Sequence, residues 1–274
     1  MSRLSAITIY PIKSCGPVSL ASAVLERRGL RHDRRFMIVD GDGRFVTQRD
    51  EPRLVEVRVS LDGDTLEVRT PRAGALVLSA SPPPADLGAP RGVTVWRSTL
   101  DAPEVPRLSA LLSAHLGREV GCVFMSDDVR RPVSPTHGRP GDEVSFADGY
   151  PLLVASESSR LDLERRAGMP LEMARFRPNV VVSGAAPWAE DRWSRVRIGA
   201  AWLRVTKPCE RCVVTTLDPV TGAAGREPLR TLATFRRVDG EVTFGLNLVP
   251  ELESEPTILR VGDPVTCEDR PGAA

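Results

Sequence analysis

The sequence predicts a mainly β (α+β) fold made of two β-rich halves. Short runs of β-forming residues recur along the chain, separated by 24 prolines and 22 glycines, while only two segments show helical periodicity. Many short strands leave many open sheet edges, and closure into a barrel removes those edges. We therefore expect two barrel-like halves with a few helices, divided at the Arg- and Pro-rich loop of residues 130–142.

The predicted strands are apolar, largely β-branched segments bounded by turn residues. In chain order they are residues 7–12, 36–40, 54–61, 65–70, 179–183, 195–198, 202–205, 212–217, 241–244 and 257–261. Asp-Gly turns between the early strands indicate hairpins.

Two helices are expected between these strands. Leu108, Leu111, Leu112 and Leu116 follow the spacing of one helix face, and Gly117 is suited to the C-cap. The second helix is expected over about residues 156–167, with Ser156 or Ser158 as the N-cap and Gly168 as the stop.

Composition limits the possible partners and location of the protein. The 274 residues are enough to bury a full core. The net charge of +1 gives no overall attraction to nucleic acid or to a membrane, so an anion site has to be a local cluster. We see no signal peptide and no stretch near the roughly 20 apolar residues of a membrane span. Five cysteines, an odd number, argue against a disulfide framework. We expect a cytoplasmic protein that binds neither nucleic acid nor membrane.

Residues 207–212, Lys-Pro-Cys-Glu-Arg-Cys, carry the most informative chemical pattern. The chain has only two lysines, Lys13 and Lys207, and each stands two residues before a cysteine. The C-x-x-C spacing of Cys209 and Cys212 suits a structural zinc site or a thioredoxin-type dithiol. It also suits one thiolate that ligates a metal held mainly by a non-protein group.

The surroundings of the pair favour the single-thiolate interpretation. The other cysteines and the three histidines are isolated in sequence, which disfavours zinc. The β-branched residues after the pair look like a strand, which disfavours a dithiol at a helix N-terminus. Positive charge from Lys207 and Arg211 favours the thiolate, a soft ligand suited to a redox-active transition metal.

Two further segments carry candidate binding residues. In residues 175–179, Arg-Phe-Arg-Pro-Asn, arginine forks suit phosphate and the Asn179 amide suits ring heteroatoms, although a surface cluster at a strand start is the simpler alternative. In residues 29–36, Asp33 and Arg34 are equally compatible with a solvated turn. We find no Gly-rich phosphate loop and no Ser-His-Asp arrangement.

Taken together, these segments resemble the MOSC family, specifically its two-domain branch, which contains the mitochondrial amidoxime-reducing component and the bacterial YcbX-type proteins. Each segment is a weak match alone, but they recur in the same order along nearly the whole chain. The matching segments are residues 10–15, 33–34, 48–53, 176–179, 207–212, 215–219, 244–247 and 261–265.

The resemblance implies an N-terminal β-barrel domain over residues 1–120 and a MOSC β-barrel domain over residues 125–268. It implies a molybdenum cofactor (Mo-molybdopterin) between them, with Cys212 as the metal-ligating, catalytic thiolate. Cofactor contacts are implied for Lys13, Ser14, Arg34, Gly149, Tyr150, Arg177, Asn179, Glu210 and Arg211.

Two positions depart from the family pattern. Glu210 stands where the amidoxime-reducing proteins have a serine, which places a carboxylate beside an anionic cofactor. Tyr150 replaces a small residue, so its contact is expected through the backbone.

The implied activity is the reduction of N-hydroxylated compounds, such as amidoximes, N-hydroxylamines and N-hydroxylated bases. The chain has no C-x4-C-x2-C cluster motif. Electrons are therefore expected from a separate donor protein, a ferredoxin- or flavodoxin-like reductase system. Two alternatives stay open: a cofactor carrier or sulfur-transfer protein without turnover, and a non-enzymatic dithiol module.

Overall fold

Strands dominate the computed structural model, which describes residues 1–251, 257–270 and 272. Helix α1 (Pro106–Leu116) belongs to the first half of the chain. The strands of that half are β1 (Ser2–Ile9), β2 (Val18–Leu20), β3 (Ser22–Glu26), β4 (Gly29–Leu30), β5 (Phe36–Val39), β6 (Arg58–Asp62), β7 (Thr65–Thr70), β8 (Gly74–Ser79), β9 (Pro90–Val95), β10 (Ser98–Pro103) and β11 (Gly121–Phe124).

The second half has the same β-rich character, with helices α2 (Glu157–Ala167) and α3 (Leu229–Leu232). Its strands are β12 (Leu152–Ser156), β13 (Val180–Ser183), β14 (Trp193–Ile198), β15 (Ala201–Glu210), β16 (Arg237–Val238), β17 (Glu241–Pro250), β18 (Thr257–Arg260) and β19 (Pro264–Asp269). Short 3-10 helices lie at Pro52–Glu56, Pro84–Asp86, Met173–Phe176, Ala189–Arg192 and Val213–Thr216.

Seven strands close into one barrel, in the order β12-β13-β1-β19-β14-β15-β17, with β17 pairing back onto β12. Every neighbouring pair is antiparallel except β12 and β13. Six of the strands come from the second half, and β1 completes the ring between β13 and β19. The closed barrel confirms the predicted fold class for this half, since closure leaves no open edge.

The first half is a barrel-type assembly of smaller sheets. These are β9 with β10, β5 with β11, β6-β7-β8, and β3 with β4 and β18. Isolated bridges such as Ile12 to Phe36 and Arg44 to Thr94 connect segments of this half. Strand β18 comes from the C-terminal end of the chain, so each half lends one strand to the other. The predicted domain limits, residues 1–120 and 125–268, stay predictions.

Both long helices confirm their sequence signals. Gly117 adopts the left-handed conformation at the C-cap of α1, with φ 66°, and Gly168 does the same after α2, with φ 69°. The Ser156 hydroxyl accepts a hydrogen bond from the Ser159 N–H at the start of α2.

Two predicted strands are wrong in part. Residues 213–216 form a 3-10 turn rather than the strand expected over residues 212–217, because the chain leaves the barrel after Glu210. Two threonine hydroxyls then bond to carbonyls three residues back, at 2.9 Å and 2.7 Å, which offers the backbone an alternative to a strand. The 3-10 helix Pro52–Glu56 occupies the start of the predicted strand 54–61, so the strand begins only at Arg58.

Candidate functional site

A cleft enclosing about 870 Å³, counting its open mouth, lies where the two halves meet. Side chains from β15, from the loops after β1 and β5, and from the entry to β12 and β13 line it. All ten predicted site residues are brought together here: Lys13, Ser14, Arg34, Gly149, Tyr150, Arg177, Asn179, Glu210, Arg211 and Cys212. The roles assigned to them stay predictions.

A β-bulge in β17, opposite the end of β15, lies next to the turn that carries Cys212. In the β15–β17 pair, Pro208 lies opposite Leu246 and Glu210 lies opposite Thr243, so two residues of β17 face the single residue between them on β15. The second of these, Gly245, has φ 73°, as a bulge with a left-handed glycine requires. Bulges bend the bulged pair locally, and here the bend precedes the turn that carries the half-buried Cys212 thiol.

The Cys212 sulfur accepts a hydrogen bond from Arg49. The distance from Arg49 Nη2 to Cys212 Sγ is 3.1 Å. Cys209 has a different partner, because its sulfur lies 3.7 Å from the carbonyl oxygen of Glu210. Burial raises the pKa of Cys209. The two cysteines of the motif are therefore not equivalent, and Cys212 is the one that accepts a hydrogen bond from an arginine.

Lys13 is buried and tied down by acceptors. Its Nζ donates to the carbonyl of Phe146 at 2.9 Å and to Asp148 at 2.5 Å. Burial lowers the pKa of Lys13, and Asp148 opposes that shift. Burial by itself raises the pKa of Asp148, but the charge and hydrogen bond of Lys13, with a bond from Trp96, hold that pKa well below its usual range. The Asp148 carboxylate is therefore ionised at neutral pH.

Two arginines stack on the buried ring of Tyr10. The guanidinium carbons of Arg34 and Arg177 lie 4.3 Å and 4.1 Å from the ring centroid. Arg34 is further held by Asp33 at 2.6 Å and by the Asn179 amide oxygen at 3.0 Å. These contacts fix the arginines as rigid donors at the floor of the cleft.

Arg177 is the incompletely satisfied member of this stack. Its Nη1 donates to the carbonyl of Cys15 at 3.0 Å, but its buried Nη2 finds no acceptor among the described residues. Burial lowers the pKa of Arg177. A buried donor without an acceptor is rare in folded proteins and points to a missing partner.

Backbone strain concentrates around the cleft. Seven non-glycine residues in the described ranges have positive φ, and three of them, Ser14 at 68°, Arg34 at 49° and Arg177 at 52°, line the cleft. A fourth, Trp96 at 55°, stacks on Arg49. Such conformations persist where the surrounding structure enforces them, and they cluster at functional sites.

Arg211 and Glu210 are placed differently from what a simple anion cradle requires. Arg211 donates to the Phe244 carbonyl at 2.9 Å and 2.7 Å and to the Phe176 carbonyl at 3.0 Å, so its guanidinium fixes the loop. Glu210 pairs with Lys207. The Glu210 carboxylate, which stands where the family pattern has a serine, therefore has its negative charge paired with a neighbouring lysine.

Comparison with known proteins identifies the family. Residues 1–119 match the family described as MOSC N-terminal beta barrel domain, and residues 141–266 match the MOSC domain. The chain belongs to the MOSC family.

Two kinds of named protein are among its relatives. Mitochondrial amidoxime-reducing component 1 of Homo sapiens is 32% identical over 283 residues, covering 97% of this chain and 82% of that protein. The Mus musculus protein of the same name is 34% identical over 280 residues, with the same coverage. Molybdenum cofactor sulfurase of Oryza sativa subsp. japonica is 32% identical over 266 residues, which is 90% of this chain but 32% of that longer protein.

The cleft of this MOSC protein also contains residues that were not predicted from sequence. The most informative are Arg49 and Asp148, because one contacts the thiol and the other holds Lys13. Asp148 directly precedes the predicted Gly149, and Arg49 lies inside the matching segment 48–53, but neither residue type is specific without its partners.

Counting all lining residues, cations outnumber carboxylates in the cleft. The cationic residues are Lys13, Arg34, Arg49, Arg175, Arg177 and Arg211, and the carboxylates are Asp148 and Glu210. In a chain with a net charge of +1, this is the local positive cluster that an anion site requires.

The described part of the chain contains neither a metal-ligand cluster nor a membrane-spanning helix. No group of three or more His, Cys, Asp or Glu side chains there is placed to hold a metal ion. No helix within the described ranges is long and apolar enough to cross a membrane.

Proposed function

We propose that this protein binds the molybdenum cofactor in its cleft and reduces N-hydroxylated compounds with electrons from a separate donor protein. The observation that carries the proposal is the Cys212 sulfur, open to a cleft lined by six cations and hydrogen-bonded to one of them at 3.1 Å. Relatives named as amidoxime-reducing components support a reductase, and the relative named as a molybdenum cofactor sulfurase supports the cofactor. A cytoplasmic location stays a prediction.

The cleft residues fit an anionic, phosphate-bearing cofactor. The buried Nη2 of Arg177 has no acceptor among the described residues, and a phosphate oxygen is a suitable one. A Cβ placed on Gly149 would meet no atom within 4 Å, so there is open space beside this backbone for a ligand. The residues that would hold the cofactor are Lys13, Ser14, Arg34, Gly149, Tyr150, Arg177 and Asn179, with Cys212 as the thiolate ligand.

Glu210 and Arg211 have supporting roles in this proposal. Because the Arg211 guanidinium is already bound to two backbone carbonyls, it fixes the loop that presents Cys212. The Lys207 partner neutralises the Glu210 carboxylate, which limits its repulsion of an anionic ligand.

When bound, the molybdenum supplies the two-electron step that the protein itself lacks. An N–OH group then loses its oxygen as water, consuming two electrons and two protons and leaving an N–H group. The protein would orient the reacting partners: Cys212 would ligate the metal, the buried cations would hold the anionic part of the cofactor, and the open mouth of the cleft would admit the substrate.

The decisive experiment compares Cys212→Ala with Cys267→Ala. Cys267 is a half-buried thiol on β19, outside the cleft, and is the matched control. With a chemical electron donor and an amidoxime, we expect Cys212→Ala to lose turnover by at least about 100-fold, because removing a metal ligand should cost more than removing one of its outer-shell partners. Cys267→Ala should keep turnover, and thermal unfolding should show that both variants are folded. Turnover retained in Cys212→Ala contradicts the proposal.

Metal and pterin analysis of the same samples separates the alternatives. A carrier or sulfur-transfer protein contains molybdenum and pterin but does not reduce the amidoxime. The sulfurase relative is the observation that favours this second candidate. A dithiol module contains neither molybdenum nor pterin even after expression in a cofactor-producing host.

A further inference from the structure

One oxygen of the Asp148 carboxylate is tied down, and the other is left open. Lys13 Nζ donates to Oδ1 at 2.5 Å, and the Trp96 indole N–H donates to the same oxygen at 3.1 Å. No residue in the described ranges donates a hydrogen bond to Oδ2. Because the Asp148 side chain lines the cleft and is 62% exposed, Oδ2 is the atom that a ligand can reach.

The loop that carries Asp148 is fixed by a buried arginine, Arg131. Its guanidinium donates to the carbonyl of Ser145 at 2.7 Å and to that of Ala147 at 2.5 Å. The same group donates to the backbone carbonyl of Asp148 at 2.9 Å. Three bonds from one planar, buried group hold the backbone in place, so the loop presents Oδ2 in a set position.

Asp148 also lies near the thiol of the cleft. The ring of Trp96, which bonds to Asp148, lies 5.0 Å from the guanidinium carbon of Arg49. Arg49 in turn donates to the Cys212 sulfur at 3.1 Å. The Asp148 side chain is 62% exposed, whereas that of Lys13 is 6% exposed. The free oxygen is therefore on the open side of the cleft, two contacts away from the sulfur.

A free carboxylate oxygen accepts hydrogen bonds and cannot donate them. The negative charge of Asp148 repels the anionic groups that the six cations of the cleft attract, so its partner has to be a donor. An amidoxime supplies one, because an NH2 group and the N–OH group are attached to the same carbon. An oxime, or an amidoxime whose amino group is dialkylated, lacks this N–H.

We infer that Asp148 is a specificity-determining residue whose Oδ2 accepts a hydrogen bond from the substrate, and that it selects N-hydroxylated compounds with an amino group beside the N–OH group. A hydrogen bond to an ionised acceptor is about twice as strong as one between neutral groups. The inference rests on the proposed function, since it names a determinant of the substrate class of that site. The pterin ring also carries N–H groups, but the exposure of Asp148 on the open side of the cleft favours the substrate.

The test replaces the free acceptor with a donor. Asp148→Asn keeps one oxygen for Lys13 and Trp96 and places an NH2 group at the position of Oδ2. The probes are benzamidoxime and N,N-dimethylbenzamidoxime, which differ only at the amino group. Each is titrated by calorimetry onto protein purified from a cofactor-producing host, without an electron donor, so that binding is measured in the absence of turnover.

We expect Asp148→Asn to weaken the binding of benzamidoxime by about 10- to 100-fold, the value of one hydrogen bond to a charged group. The affinity for the dimethyl compound should change little, and molybdenum per chain should stay at the wild-type level. Asp127→Asn is the matched control, because Asp127 is an exposed carboxylate that accepts a hydrogen bond from Arg35 at 2.7 Å outside the cleft. It should leave both affinities unchanged.

An equal loss of affinity for both compounds, or a loss of molybdenum with unchanged selectivity, assigns Asp148 to the structure of the cleft or to the pterin and overturns the inference. Circular dichroism checks folding. If Asp148→Asn does not fold, Trp96→Phe removes one of the two donors to Oδ1 and should lower the selectivity by a smaller factor, and unchanged selectivity there also overturns the inference.

The outcome is separable from the proposed function. Selectivity that Asp148→Asn abolishes, in a protein that reduces neither compound with a chemical electron donor, leaves the recognition by Asp148 standing and removes the function. Turnover with unchanged selectivity in Asp148→Asn does the opposite.

Discussion

Among single residues, Arg177 is the most informative because the protein leaves it incompletely partnered. It is a cation in a largely buried position, with one hydrogen bond to the Cys15 carbonyl, a stacked contact on Tyr10 and an Nη2 that has no acceptor in the described part of the chain. Arg28 is a useful contrast. It is also buried, but it donates to Glu143 at 2.9 Å and to the carbonyls of Ser126 and Asp127 at 3.1 Å each.

The same substitution should affect stability much less at Arg177 than at Arg28. Arg177→Met removes a buried charge whose Nη2 has no acceptor among the described residues, so we expect the free energy of unfolding of the cofactor-free protein to change by less than about 1 kcal/mol. Arg28→Met breaks the buried ion pair with Glu143 and should lower the free energy of unfolding by about 3 kcal/mol. Chemical denaturation measures both values.

The ligand-dependent readout completes this prediction. If the missing acceptor of Arg177 is the cofactor, Arg177→Met should reduce molybdenum per chain after loading, whereas folded Arg28→Met should retain it. A loss of about 3 kcal/mol in Arg177→Met would instead assign this arginine to the structure of the protein alone.

At this scale the sequence was informative wherever residue type alone limits the chemistry. A C-x-x-C pair flanked by cations, as at Cys209 and Cys212, has few common roles. Arg49 and Asp148 could not be found in this way. They become site residues only through contacts with Cys212, Trp96 and Lys13, and those contacts join segments of the chain that are distant in sequence.

At the scale of elements, local preference and the requirements of the barrel disagree at one place. Residues 213–216, Val-Val-Thr-Thr, have the composition of a strand but form a 3-10 turn. Tertiary context decides, because the barrel is already closed through β15 and β17 and the chain has to leave at Glu210. The helices were predicted well because their caps, Gly117 and Gly168, are local signals.

The bulge opposite the end of β15 explains why a glycine stands in the segment Phe-Gly-Leu-Asn. Gly245 combines φ 73° with a close backbone approach, since a Cβ there would lie 2.5 Å from the Val154 carbonyl oxygen of β12. Gly262 also has a positive φ, 97°, but its Cβ would meet nothing within 4 Å.

Alanine at these two glycines should therefore separate strain from steric clash. Gly262→Ala places an alanine in a left-handed backbone conformation without a steric clash. We expect it to lower the free energy of unfolding by about 1 kcal/mol. Gly245→Ala adds a clash at the seam where the barrel closes, and we expect it to lose about 3 kcal/mol or more of the free energy of unfolding. Urea denaturation measures both. Equal losses would show that the seam relaxes and that the bulge is not held by Gly245.

At the scale of the whole molecule, the two halves exchange strands. Strand β1 completes the barrel of the second half, and β18 pairs with β3 of the first. The largest apolar cluster likewise contains Leu4, Leu66 and Leu203, so one continuous core spans both halves. The sequence indicated two β-rich halves but could not indicate this exchange, because strand pairing over more than 200 residues leaves no local pattern.

This exchange predicts that the protein unfolds as one cooperative unit although it carries two domain signatures. Leu259 of β18 is the residue that tests it, because it is fully buried and lies opposite Ala23 of β3. Leu259→Ala should lower the free energy of unfolding by about 2–5 kcal/mol. If the halves are coupled, hydrogen exchange in dilute denaturant should show the same loss of protection in β14 as in β3, since both report global unfolding. Ile258→Ala, at an exposed position of the same strand, is the matched control. It should change the protection free energy of β3 and of β14 by less than about 1 kcal/mol each. Protection lost in β3 but kept in β14 would mean that the halves unfold separately, and that the cleft between them opens without loss of the barrel.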